Sequence, residues 1–267
     1  MKKAILVFVA ILLVCGVLFT ACSKKDAGGL TLRPGILSVG VEIGYPPMEY
    51  MAEDGNTPIG FDISMGKAIA DKLGMEVQFI DTAWDGIFAG VETNRYDCVI
   101  SSVTITDARL EVYNFSVPYI QNTLAIVLRK GSPLKISSPM DLAGLGVAYQ
   151  AGTTSQFYMD DLVENEGLKF TAYEYDKVMN CFTEMELGRV DVIMTDLLVA
   201  YEYIARPNSS FEIVWQGGEE QFGICIKKGN DELTEAIDDA LNELFGDGTM
   251  LGISREIFGM DLVSAVR

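Results

Sequence analysis

The chain has 267 residues, 49% hydrophobic and 22% charged, with 38 acidic against 20 basic side chains and a net charge of −18. That length accommodates two modest lobes or one large domain, and so acidic a surface repels phosphate backbones, which excludes nucleic acid as a partner. The chain contains no histidine, which removes histidine-based nucleophilic triads and the common zinc ligand sets, so no catalytic residue, cofactor or metal site is expected.

Lys2 and Lys3 precede an uncharged, mostly apolar run over 4–21 that ends at Cys22. A positive start, an apolar stretch and a small residue before the cut form the layout of a signal peptide over 1–21. Phe19-Thr20-Ala21-Cys22 resembles a lipobox, with Phe19 where leucine is commoner. Cleavage before Cys22 and lipidation of its thiol are expected. A retained transmembrane anchor, with a run close to the lower limit of about 17 residues for a spanning helix, and secretion without lipid are the alternatives. Residues 22–30 then form a lipidated cysteine and a polar, glycine-containing tether. Cys98, Cys181 and Cys225 have apolar or strand-like flanks and read as buried free thiols.

After the tether, 36–43 carries an apolar strand pattern that Gly44-Tyr45-Pro46-Pro47 stops, which holds Tyr45 on a loop at the strand's end. Asp54-Gly55-Asn56 is a turn, and Gly60-Phe61-Asp62 leads into a helix with Ile63, Met65, Ile69, Ala70 and Leu73 on its apolar face, capped by Asp62 or Ser64. A strand over 75–80 and a helix over 85–91 follow. The strand over 98–100 then opens into Ser101, Ser102, Thr104 and Thr106, with Arg109 close behind. Hydroxyls and backbone N–H groups at the carboxyl edge of a strand align a small anion, and an arginine fork grips it. The bland alternative is an ordinary turn beside a surface ion pair. Further strands are expected over 123–128, 146–149, 169–173, 190–194, 211–215 and 222–226, and helices over 156–162, 175–185, 197–204, 232–245 and 250–258. Gly152-Thr153-Thr154, between a strand and a helix, presents unpaired N–H groups to an anion. Asp196 stands where it caps the next helix, and Gly217 to Glu220 reads as a turn. Trp215 reads as a packing residue.

An ordered series of stretches carries a resemblance over nearly the whole mature chain: 39–47, Gly60-Phe61-Asp62, Trp84-Asp85-Gly86, Tyr96-Asp97, 101–109, 115–119, Gly152-Thr153-Thr154, Gly188-Arg189-Val190-Asp191 with Asp196, and 246–259. In this order they resemble the family 3 extracellular solute-binding proteins, the lipoproteins that feed polar amino-acid ABC transporters. The resemblance implies a bilobal α/β periplasmic-binding-protein-like fold of type II, two α/β lobes joined by two crossing strands. The first lobe would take 31–122 and 220–267, the second 123–219, with hinge-like closure. It implies that Arg109 holds a ligand α-carboxylate with Ser101, Ser102 and Thr104, that Gly152, Thr153 and Thr154 reach it from the other lobe, and that Asp196 takes the α-amino group. Trp84 would stack on the ligand opposite Tyr45, and Glu42 would meet its distal end, which favours arginine or lysine, with glutamine or another polar neutral amino acid as the alternative. The implied protein is a monomer held by lipid at the extracytoplasmic face of the cell membrane, handing its ligand unaltered to permease subunits. Two other classes stay open. One is a dehydratase-like enzyme, for which Glu42 is the only obvious proton carrier. The other is an extracellular sensing module, usually part of a longer chain with a spanning segment.

Overall fold

The computed structural model describes residues 29–266; the expected signal peptide, Cys22 and most of the tether lie outside the described residues. Among the described residues no helix is long and apolar enough to cross a membrane.

Strand β1 (Ile36–Val41) is buried along nearly its whole length, as expected of a strand covered on both faces. A small hairpin, β2 (Tyr50–Met51) and β3 (Pro58–Ile59), follows, closed by an Asx turn in which Asp54 accepts from the Asn56 and Thr57 N–H groups. Helix α1 (Phe61–Leu73) buries Phe61, Ile63, Met65 and Ile69, each contributing about 1.5–3 kcal/mol. It stops at Gly74, whose left-handed φ of 68° lets its N–H satisfy the last carbonyls. Then come β4 (Glu76–Asp81), α2 (Trp84–Glu92), β5 (Cys98–Val99), α3 (Asp107–Val112) and β6 (Tyr113–Phe115).

The chain leaves this lobe through β7 (Ile120–Arg129) and builds a second sheet from β8 (Gly146–Gln150), β9 (Thr171–Tyr175), β10 (Val192–Asp196) and β11 (Phe211–Phe222). Helices α4 (Thr154–Glu166), α5 (Val178–Glu186) and α6 (Leu197–Ala205) connect its strands. It returns through β11 to β12 (Cys225–Lys227) and ends in α7 (Asp231–Gly246) and α8 (Thr249–Phe258). The first sheet has the order β4-β1-β5-β12-β6 and the second β11-β7-β10-β8-β9. Within the first, β1 is parallel to β4 and β5 while β12 runs against them; within the second, β8 is parallel to β9 and β10. The molecule is therefore two α/β lobes. The links between them are β7 and β11, which lie side by side with Ile120 opposite Phe222 and Gln121 opposite Gln221. Apolar packing continues through this junction, where Tyr119 meets Phe61 at 6.1 Å and Phe222 at 6.4 Å between ring centroids.

Three local expectations are corrected. Neither Asp62 nor Ser64 caps α1: Gly60 holds the cap position, and Asp62 turns inward to accept from Ser102 N–H and Tyr119 OH. The strand expected over 169–173 starts two residues later, because β9 is an edge strand exposed on both faces and carries little apolar pattern. The turn expected at Gly217 to Glu220 lies inside β11, where register breaks at Ile213/Trp215 and Gly217/Glu219 make bulges that bend a continuous strand. The short helix α3 was not anticipated; the Thr106 hydroxyl starts it by accepting from Arg109 N–H at 3.2 Å. The three cysteines are buried and free, and Trp215 packs against Tyr158 in the second lobe.

Candidate functional site

Between the lobes lies a narrow cleft. One wall is the run that leaves β5. The Ser101 hydroxyl accepts from Glu42 N–H at 3.0 Å and donates to Glu49 Oε1 at 2.8 Å. Ser102 has φ 50°, a left-handed conformation that costs a residue with a Cβ about 1–3 kcal/mol and persists only where neighbours hold it. Here Asp62 Oδ2 holds it, accepting its N–H at 2.7 Å. Because Thr106 nucleates α3, Arg109 is presented in that helix's first turn, where its Nη1 donates to the Thr104 carbonyl at 2.9 Å. The guanidinium sits 5.1 Å from the Phe88 ring centre and 5.6 Å from that of Trp84. Burial pulls its pKa down, yet arginine stays charged. It is a cation held in place by a carbonyl and two ring faces.

The opposite wall comes from the second lobe. Strand β8 ends at Gln150, Gly152 turns with φ 71°, and α4 begins at Thr154. The Thr153 hydroxyl donates to the Gln150 carbonyl at 2.7 Å, and the Thr154 and Thr104 hydroxyls face each other across the cleft at 3.4 Å. Trp84 Nε1–H crosses the same gap to the Gly152 carbonyl at 3.0 Å. Asp196 ends β10 and precedes α6, but its carboxylate makes no cap hydrogen bond. It accepts instead from Tyr45 OH at 2.5 Å and Asn122 Nδ2 at 2.9 Å, both from outside its own helix. The same Asn122 amide reaches Glu220 Oε2 at 3.1 Å. Burial first, then the nearby Glu220 charge, raises the Asp196 pKa to about 8, and burial raises that of Glu220 as well.

At the other end, Glu42 is 3% exposed. Its Oε2 accepts from Gln150 Nε2 at 2.7 Å, and its Oε1 has no partner. Burial pushes its pKa up, against the pull of the Gln150 bond and the Lys177 charge. Beneath Ser101, Glu49 and Asp62 form a buried acidic pair. Burial pushes Glu49 well above the carboxylate range and Asp62 up to about 7.

Glu42, Tyr45, Trp84, Ser101, Ser102, Thr104 and Arg109 from the first lobe, and Thr153, Thr154 and Asp196 from the second, line one cleft. Gly152 stands just behind, offering its carbonyl to Trp84. Sequence reasoning missed Glu49 and Gln150 on the wall, and Asn122 and Glu220 behind Asp196. Glu49 follows the Pro46-Pro47 loop and Gln150 ends a strand at its carboxyl edge, a position that marks ligand sites in α/β sheets. Among the described residues no cluster of three acidic or cysteine side chains is set to hold a metal ion.

The sequence matches the bacterial extracellular solute-binding proteins, family 3, over residues 37–260. It is 32% identical over 274 residues to the L-cystine-binding protein TcyA of Bacillus subtilis, covering 98% of this chain and 99% of that one. It is 29% identical over 262 residues to the L-cystine-binding protein TcyJ of Escherichia coli, covering 98% and 97%. Among solved structures, an ancestral arginine-binding protein bound to arginine superposes with a TM-score of 0.79 at 38% identity, over 84% of this chain and 98% of that one. Two lobes joined by paired strands, a cleft with a held arginine facing a buried aspartate, and a match spanning both lobes lead to one assignment: the chain belongs to the bacterial extracellular solute-binding proteins, family 3.

Proposed function

We propose that this protein captures an L-amino acid between its lobes and delivers it, unaltered, to the permease of an ABC importer. The observation that carries the reading is the opposition of Arg109 and Asp196 across one cleft, each aimed by neighbours that are not its charge partners. A free α-amino acid carries a carboxylate and an ammonium on one carbon. Arg109, helped by Ser102, Thr104 and the N–H groups at Thr154, takes the first, and Asp196 takes the second. Since Arg109 belongs to one lobe and Thr154 and Asp196 to the other, the bound ligand stabilises the closed form by contacts that an open form lacks. The lobes we assign are 31–122 with 220–267, and 123–219.

Glu42 is the group that meets the ligand's far end, and its unpaired buried Oε1 calls for an N–H donor. That favours a ligand with a cationic distal group, arginine or lysine first, packed between Tyr45 and Trp84. Cystine, for which two relatives are named, also carries a distal ammonium, and Glu42 alone does not separate it from arginine. Calorimetric titration of protein spanning 23–267 with a panel of L-amino acids tests the reading: saturable one-to-one binding of a cationic amino acid supports it, binding only of glutamine removes the Glu42 argument, and no binding across the panel overturns it. Lipidation at Cys22 anchors the protein at the extracytoplasmic face in this scheme; labelled palmitate incorporation that survives Cys22→Ser would refute that part.

A further inference from the structure

Behind the Ser101 wall of the cleft two carboxyl groups meet. Glu49 follows the Tyr45 loop and is fixed by its own backbone, whose carbonyl accepts from the Gly44 and Tyr45 N–H groups at 3.0 and 2.8 Å. Asp62 stands in the first turn of α1. The two are 1% and 0% exposed, and their carboxyl groups lie within hydrogen-bond reach of each other. One oxygen of each has donors. Glu49 Oε1 accepts from the Ser101 hydroxyl at 2.8 Å, and Asp62 Oδ2 accepts from Ser102 N–H at 2.7 Å and from Tyr119 OH at 3.1 Å. The other oxygens, Glu49 Oε2 and Asp62 Oδ1, are buried acceptors without a partner. The titratable groups that face them, Glu42, Tyr45 and Tyr119, carry no positive charge.

Glu49 lines the cleft but Asp62 stands off it, so the donor that Asp62 Oδ1 requires comes from Glu49. Two carboxyl groups that share one site hold a proton between them. The negative charge that remains belongs on Asp62, which accepts from two donors and sits at a helix start, where the aligned peptide dipoles favour an anion. Glu49 accepts from a single hydroxyl.

Resting on the reading of the cleft as an amino-acid site, we infer that Glu49 is a positioning residue that works as a neutral acid: its Oε2–H donates to Asp62 Oδ1, and the pair holds Ser101 and Ser102 in place for the ligand carboxylate. Burial raises Glu49 well above the carboxylate range and Asp62 to about 7, so the pair gives up its first proton near neutrality and keeps the second. The kept proton serves the site in two ways. It holds the Asp62 carboxylate against Ser102 N–H, which maintains the left-handed φ of 50°. It also leaves the cleft wall behind Ser101 uncharged, where a second anion would repel the ligand's own carboxylate.

The test joins infrared spectroscopy to calorimetric titration of wild type, Glu49→Gln and Glu49→Leu. At about pH 8.5, above the Asp62 and Asp196 titrations, ligand-free wild type should show a carboxylic-acid C=O stretch that Glu49→Gln lacks. Absence of that difference overturns the inference and leaves the amino-acid reading standing. The glutamine amide can accept from Ser101 and donate to Asp62, whereas leucine leaves Asp62 Oδ1 without a donor. With L-arginine and L-cystine as probes, Glu49→Gln should therefore bind about tenfold or more tightly than Glu49→Leu. Equal weakening in the two variants, both shown to be folded by urea unfolding, overturns the positioning role. Failure of both probes to bind wild type removes the amino-acid reading and the positioning role together, while the infrared band still decides whether Glu49 carries the proton.

Discussion

Replacing Arg109 by methionine tests the α-carboxylate grip while keeping much of the side chain's apolar stem. Two charge-assisted hydrogen bonds to the ligand are lost, at about 1.5–3 kcal/mol each, so binding weakens by about 3–6 kcal/mol, or roughly 10²- to 10⁴-fold. The cost to the fold is separate and smaller. The Thr104 carbonyl loses its partner at 2.9 Å, worth about 1 kcal/mol, and the Trp84 and Phe88 rings lose a cation worth about 0.5–1 kcal/mol each. The variant should therefore unfold about 2–3 kcal/mol more easily by urea titration, yet remain folded at 25 °C. Arg109→Lys keeps the charge and loses the fork, and should fall between parent and methionine in calorimetric titration. A folded Arg109→Met protein whose Kd stays within about threefold of the parent, well under one such bond, refutes the assignment.

Asp196→Asn should weaken amino-acid binding by about a hundredfold, the order of one lost charge-assisted contact, and should leave the fold intact because the amide oxygen still accepts from Asn122 while its NH2 can donate to the Tyr45 hydroxyl oxygen. Stability should also depend on pH in an unusual sense. Asp62 and Asp196 rise from 3.8 to about 7 and about 8 in the ligand-free fold, so the native state holds protons that the unfolded chain has released. Their contribution is fully present below about pH 4 and is lost as pH rises through 7 and 8; the Tm of ligand-free protein should fall over that window, and an Asp62→Asn variant should show a flatter curve. Gly40 lies against the Tyr96 ring so closely that an added Cβ overlaps it. Gly40→Ala should cost about 1–3 kcal/mol in urea unfolding by overpacking, with an unchanged affinity expected only if Tyr96 moves without disturbing α2.

Local pattern marked part of the candidate cleft, and the family resemblance supplied the rest. The hydroxyl run with Arg109, the Gly152 turn into a helix, and Asp196 at a strand's end are signals written within a few residues, because each exploits the chain ends of strands and helices. The groups that patterns missed are those whose meaning depends on distant partners. Glu220 looked like a turn residue, but the bulges of β11 carry it behind Asp196, and Asn122 in β7 bridges the two carboxylates. Gln150 and Lys177 look like ordinary polar residues until lobe closure brings them to Glu42 and Ile43, 108 and 134 positions away in sequence.

What the residue patterns indicated by themselves was a chain of strands and helices with glycine stops and a hydroxyl run before Arg109 suited to a small anion; the bilobal fold and the α-amino-acid head are what the resemblance to the family 3 solute-binding proteins implied. Only the tertiary structure decided which way Asp196 faces. As a cap it would have answered the N–H groups of its own helix; with Tyr45 reaching it from 151 residues away and Asn122 beside it, the carboxylate is drawn into the cleft instead. The same holds for Gln150, which the meeting of the lobes brings to Glu42. Charge complementarity depends on distance and burial, and both are set by how the lobes meet.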